Sequence, residues 1–238
     1  MTRALTPILA IAGRELGSMF RTPVGWIATA LYALLTAVVF ALQTLEPGEP
    51  ATMRYFFTPS AWLLIAVAPA VSMRLFSEEF RTGTIEPLLT APVSAAGVLI
   101  GKYAGALGFV ACMIAPTLVF PITLGILADG PIDAGAIASG YLGLLLVAAV
   151  YLALGTLVSA TTDSQVLAFL VTLIALLMLL ILAGPAASQM PIRVGLILNE
   201  LSIQRRAATF ASGVLETRHL AFFVLASAWL LALAWAAL

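Results

Sequence analysis

Charge is scarce in this sequence. Of 238 residues only 9% are Asp, Glu, Lys or Arg, eleven of each sign, so the formal net charge is zero. Globular domains carry about 25% charged residues, and a chain with so few cannot cover a water-facing surface. Balanced charge without a basic tract also removes the electrostatic footprint that a nucleic-acid partner requires. Cysteine is almost missing. Cys112 stands alone in an apolar run, which excludes a disulfide within the chain and a Cys-based metal framework. The lone histidine, His219, and the lack of an H-E-x-x-H motif leave metalloprotease chemistry without ligands.

What fills the chain is apolar: 62% of residues, with a mean hydropathy of +1.11. A bilayer core about 30 Å thick is crossed by roughly 20 helical residues. Charges mark where such runs stop. Arg21 and Glu46 bracket the first, Arg54 and Arg74 the second, Lys102 and Asp129 the third. Asp133 and Asp163 bracket the fourth, Asp163 and Arg193 the fifth, and the sixth follows Arg218 to Leu238. The long runs lack the period-two alternation of a membrane barrel. The expected fold is an all-α membrane protein with six transmembrane helices over 23–45, 56–75, 98–128, 136–160, 165–185 and 219–238, forming one domain. Arg14 and Glu15 interrupt the first apolar stretch, so no cleavable signal peptide is expected. Pro116 and Pro121 point to a kink or break in the third span, and Pro69 to one in the second. Gly97, Gly101 and Gly105 form a small-residue stripe entering the third span, suited to close helix packing within the monomer or to a subunit interface. Arg3, Arg14, Arg21, Arg74, Arg81 and Lys102 fall on one side of a six-span chain, which favours cytoplasmic termini.

Two segments do not span. Residues 4–21 place Leu5, Leu9, Ala12, Leu16 and Met19 on one helical face and Arg14, Ser18 and Arg21 on the other. That pattern predicts an amphipathic interfacial helix, serving either as an anchor or as a lever against a cytoplasmic partner. The second is SEEFRTGTIEPLLTAPVS, Ser77 to Ser94. Gly83 suits a helix C-terminus, Thr84 an N-cap, Glu86 the first turn, and Pro87 is tolerable there. Ile85, Leu88 and Leu89 make an apolar patch, Pro92 stops the helix and Ser94 caps the next one. An acidic helix with a small apolar face fits a groove on another protein better than an anionic lipid surface.

Several chemistries find no residues. Every ionisable group can be placed at a span end or in a loop, against an ion-driven carrier. GVLIGKY, Gly97 to Tyr103, fails as a phosphate loop because Ala96 and Tyr103 stand where Gly and Ser or Thr are needed. The chain therefore binds no nucleotide or other cofactor of its own by this reading.

The run E-E-F-R-T-G-T-I-E-P-L-L-T-A-P-V-S, followed by Gly101 and Lys102, resembles the cytoplasmic loop of ABC-2 type transporter permeases. Ile137–Gly155 with Ser159, Thr162, Gln165 and Ala168, and Phe210–Leu233, resemble the branch related to gliding-motility permeases. Ser212 and Thr161 depart from that branch, where Arg and Leu are usual. The resemblance implies a non-catalytic permease subunit of an ATP-driven exporter in a bacterial inner membrane, with both termini cytoplasmic. It implies pairing with a second permease copy and with cytoplasmic ABC ATPase subunits that hold ATP and Mg, and it allows for a periplasmic or accessory subunit. It places Glu78, Glu79, Arg81, Gly83, Thr84, Glu86 and Leu88 on a coupling helix within 77–94. It also maps residues 4–21 onto a connecting helix and 186–218 onto an extracytoplasmic re-entrant cap. The alternative is an anchor or scaffold that recruits partners without moving a solute. An intramembrane enzyme using His219 is the more distant rival. The cargo has no signature in these residues.

Overall fold

A chain this apolar has to satisfy its backbone locally, because N–H and C=O groups meet no water in a bilayer. In the computed structural model, which describes residues 2–45, 51–84, 94–128 and 132–238, the described residues contain helices and turns and no strand. In chain order the helices are α1 Thr2–Arg21, α2 Pro23–Gln43, α3 Arg54–Ser72, α4 Ser77–Thr82, α5 Ala95–Ile114 and α6 Val119–Leu127. They continue with α7 Ala134–Ser159, α8 Gln165–Leu182, α9 Ile192–Glu200, α10 Ile203–Ala211 and α11 Thr217–Ala237. Among the described residues six segments are long and apolar enough to cross a membrane: α2, α3 with α4, α5 with α6, α7, α8 and α11. Their starts are set by side-chain caps where a polar residue precedes the apolar run. Ser94 accepts from Gly97 N, Asp133 from Gly135 N and Ala136 N, and Ser164 from Leu167 N.

The bundle is built around α3 and α7. Of the apolar windows, 61% of α7 and 56% of α3 with α4 are buried, against 22% of α2 and 17% each of α8 and α11. The last three therefore present most of their surface outward. Glycines let α3 and α7 approach. A Cβ on Gly140 would lie 2.1 Å from the Phe57 ring, and one on Gly155 would lie 1.9 Å from Ser72 Oγ. Near Gly140 the rings of Phe40, Phe56, Phe57, Phe120 and Tyr141 pack in a chain of contacts at 4.8 to 5.5 Å between neighbouring centroids. They close the Asp133 end of the bundle.

The break expected in the third span is present. Ala115–Leu118 forms a 3-10 turn between α5 and α6. Pro121 has no N–H, so the carbonyl of Thr117 one turn earlier loses its helical donor. Tyr141 Oη supplies a replacement, donating to Thr117 O at 2.8 Å. A tyrosine from α7 thus satisfies a carbonyl that lipid would leave bare. Helix α3 continues past Pro69 and ends at Ser72.

Helix α1 divides its predicted apolar face: Leu9 is 68% exposed, whereas Ala12 and Leu16 lie against glycines of α5 and Met19 is fully buried beyond them. Ile8, Ile11 and the acid Glu15 share in the contact with α5. The turn 73–76 separates α3 from α4, and the two together make up the second apolar segment, Arg54–Thr82.

The segment 186–218 is itself helical. Helix α10 runs antiparallel along α7, with Gly213 beside Ala136, Phe210 against Gly143, and Gln204 Nε2 donating to Tyr151 Oη at 3.0 Å. Ser139 Oγ donates to Phe210 O at 2.7 Å. Gly213 takes φ +85°, a left-handed turn that a side chain would strain, and it leads into α11.

The glycine contacts predict a stability difference. Gly140→Ala has to displace the Phe57 ring and is expected to cost about 1–3 kcal/mol, as overpacking does. Gly108→Ala, whose nearest neighbour is Leu16 at 3.8 Å, should be close to neutral. Thermal unfolding of both variants in detergent checks this; equal midpoints would contradict the α3–α7 contact.

Candidate functional site

A charged amine in an apolar interior is costly unless it is paired and hydrogen-bonded. The chain has ten arginines and a single lysine, Lys102, and that lysine is buried at 4% exposure inside α5. Its Nζ lies 2.9 Å from Glu79 Oε1 and 3.6 Å from Glu15 Oε2, and it donates to Leu75 O at 2.7 Å. The Phe76 ring centre is 5.4 Å away. One compact cation thus holds three segments together: α1 through Glu15, the α3–α4 turn through Leu75, and α4 through Glu79. Lysine suits the place because its ammonium directs donors to several acceptors at once.

The glycine stripe sets this geometry. A Cβ on Gly101 would lie 2.9 Å from Ile11 Cβ, and one on Gly105 would lie 2.7 Å from Glu15 Cβ. Two of the three stripe residues therefore face α1 of the same chain; Gly97 is buried at the first turn of α5. Larger residues would push α1 away and draw Glu15 out of reach of Lys102.

The turn between α3 and α4 is fixed from a third side. Ser159, the last residue of α7, accepts from Phe76 N at 3.0 Å and Ser77 N at 3.1 Å, and its Oγ lies 3.1 Å from Met73 O. Helix α4 then ends at Gly83, whose φ of +70° is left-handed, with Thr84 N donating to Glu79 O at 3.0 Å. Glu78, Arg81 and Thr84 are exposed around this point, while Glu79 is turned inward. Glu86 and Leu88, with Ile85, Pro87, Leu89 and Pro92, lie outside the described residues.

Beside the cluster is a polar cavity of about 310 Å³ lined by Arg14, Glu15, Ser18, Thr22, Arg74, Glu78, Glu79 and Lys102. Among the described residues Glu79 Oε2 is buried without a hydrogen-bond partner. A second ionic group forms near the other end. Buried Arg206 reaches Glu200 O and Oε2, packs 4.2 Å from the Phe222 ring centre, and shares Glu200 with Arg218. His219 Nε2 lies 3.6 Å from Glu216, one turn away. Among the described residues no group of three or more His, Cys, Asp or Glu could hold a metal ion.

Sequence reasoning identified Glu79 and missed its partners. In the sequence Lys102 reads as a boundary charge and Glu15 as an interruption, whereas Lys102 is buried and the partly buried Glu15 faces it. The usable signal was local: Lys102 follows Gly101 directly, and Glu15 shares a helical face with Ile8 and Ile11. Nothing in spacing could join Glu15, Glu79 and Lys102 before the helices are packed. Removing the cation strands two carboxylates, so Lys102→Met is expected to lose about 3–5 kcal/mol, and adding Glu79→Gln should recover part of that loss. Unfolding in mixed detergent micelles measures both. Equal stability of the single and double variants would show that Glu79 does not need Lys102.

A search of curated proteins gives no match. The family model described as "ABC-2 family transporter protein" matches residues 9–238, nearly the full chain. That match takes in α1 from Leu9, the Lys102 cluster, the six apolar segments, α9 and α10 alike. The chain belongs to the ABC-2 transporter family, as a multi-pass membrane permease subunit with no ATPase of its own.

Proposed function

We propose that this permease is driven through residues 77–94 by cytoplasmic ABC ATPase subunits and moves its cargo outward, as an exporter. The observation that carries the reading is the placement of α4. It stands at one end of the bundle, joined by Glu79 and Lys102 to α1 and α5, and by Ser159 to α7. A push on α4 therefore reaches three other helices through direct side-chain contacts. The ATP and its Mg belong to the partner, whose nucleotide-dependent closure supplies the work. Coupling of binding free energies is reciprocal, so cargo should alter nucleotide affinity.

In this reading α1 lies along the cytoplasmic interface, where its exposed Leu9 meets lipid and Arg14 and Arg21 meet the polar layer. Both termini are cytoplasmic, in a bacterial inner membrane. Residues 186–218 form an extracytoplasmic re-entrant cap; the antiparallel path of α10 along α7 supports that placement. A second permease copy completes the pathway, and the cap is where a periplasmic or accessory subunit would sit. The motifs at Ile137–Gly155 and Phe210–Leu233 resemble the gliding-motility branch of that family.

Two substitutions test the coupling. Glu86→Arg should leave membrane insertion normal while separating ATP hydrolysis from transport. Leu88→Asp should weaken copurification of the ATPase. Wild-type transport in the first, or undiminished copurification in the second, would contradict the assignment of 77–94. ATP hydrolysis by the intact complex that no exported compound stimulates would favour an anchoring subunit instead.

A further inference from the structure

The face between α2 and α3 is not packed shut. Val24, Ala28, Leu31 and Leu35 on α2 and Leu63, Val67 and Ala70 on α3 wall a trough of about 250 Å³. Its floor is formed by Met19, Tyr32, Val71 and Phe109, all buried. The space exists because the walls include alanine at 28, 66 and 70, and because Gly25 allows α2 to start against Met19 O, where a Cβ would lie 2.1 Å away. Leu63 to Arg74 and Val24 to Leu35 each cover about 16 Å at 1.5 Å per residue. That is about half of the ~30 Å hydrocarbon core of a bilayer.

The lining is apolar until its end, where Arg74 stands. Arg74 is half-buried, and among the described residues its guanidinium takes part in no ion pair or hydrogen bond. The same residue lines the polar cavity with Arg14, Ser18 and Thr22. Within that cavity Glu15 and Glu79 are committed to Lys102, leaving exposed Glu78 as the one carboxylate not engaged there. An apolar slot one leaflet deep, ending at an unpaired cation, matches an acyl chain below an anionic headgroup. Basic pockets between membrane helices bind such headgroups.

We propose that the α2–α3 trough is a binding site for an anionic phospholipid of the leaflet at the Lys102 end, with one acyl chain between the helices and the phosphate on Arg74. The site belongs to the permease chain itself and does not depend on how the ATPase is coupled. Bound there, the lipid covers Tyr32 and Phe109 and holds α2 and α3 at a fixed separation.

The test uses the full chain in phosphatidylcholine nanodiscs doped with a phosphatidylglycerol that carries a photoreactive diazirine in one acyl chain. Peptide mapping should place the label on residues 24–35 and 63–73, with a phosphatidylcholine probe labelling them weakly. Arg74→Gln should reduce the anionic label there about fivefold, the effect of one basic residue at an anionic surface. Ala70→Phe fills the trough with the charge kept; it should abolish the label while leaving that on outward-facing α8 unchanged. Ala70→Phe decides the matter if Arg74→Gln fails to insert. Equal labelling by both probes, or trough labelling indifferent to Ala70→Phe, would overturn the proposal. So would a disulfide between two chains through Ala70→Cys, which would show a second copy seated in the trough.

Discussion

A buried ammonium is stable here only because three segments converge on it. Lys102 has Glu79, Glu15 and the Leu75 carbonyl as partners, and withdrawing any one leaves charge in a poorly solvated place. That constraint runs in both directions. The cation fixes where α1 lies against α5 and where α4 leaves α3. The close contact of α1 with Gly101 and Gly105 is in turn what brings Glu15 near enough to matter. Electrostatics and glycine packing are one device at this end of the bundle.

The rest of the architecture follows from the same economy of polar groups. Where the backbone is interrupted, a side chain from a neighbouring helix replaces the missing partner. Ser159 does so for the turn at Phe76 and Ser77, and Tyr141 for the carbonyl uncovered by Pro121. Both belong to α7, the most buried of the spans. That helix therefore connects the α4 end, at Ser159, to the aromatic cluster and α10 at the other, through Tyr141, Ser139 and Tyr151. Helix α7 thus links α4 to the far side of the bundle by direct side-chain contacts.

Much of the fold was legible in the sequence because a bilayer imposes length and apolarity on each span, so charges at Arg21, Arg54, Asp133 and Arg218 mark ends. Helix-breaking chemistry was equally readable: Pro116 and Pro121 lead to a 3-10 turn, Gly83 to a left-handed cap, and Ser94 to a side-chain cap. The site was readable only in part. Glu79 stood out because it lies in an acidic motif, but Lys102 and Glu15 looked like boundary charges. Their meaning comes from tertiary packing, which brings residues from distant parts of the chain within 4 Å. On α1, Ala12, Leu16 and Met19 were legible as one face, but Glu15, which joins the contact with α5, was not. A rule that sends acids to water fails where a lysine waits in the interface.

Spin labels at Arg14 on α1 and Arg81 on α4, both exposed, measure the central claim most directly in the assembled transporter. If Lys102 makes these segments one body, the distance between the labels is narrow and the same with and without ATP, and it broadens only when Lys102 is replaced by Met. A distance that shifts with nucleotide while Lys102 is intact would mean that α4 moves without α1, and the coupling described here would be wrong.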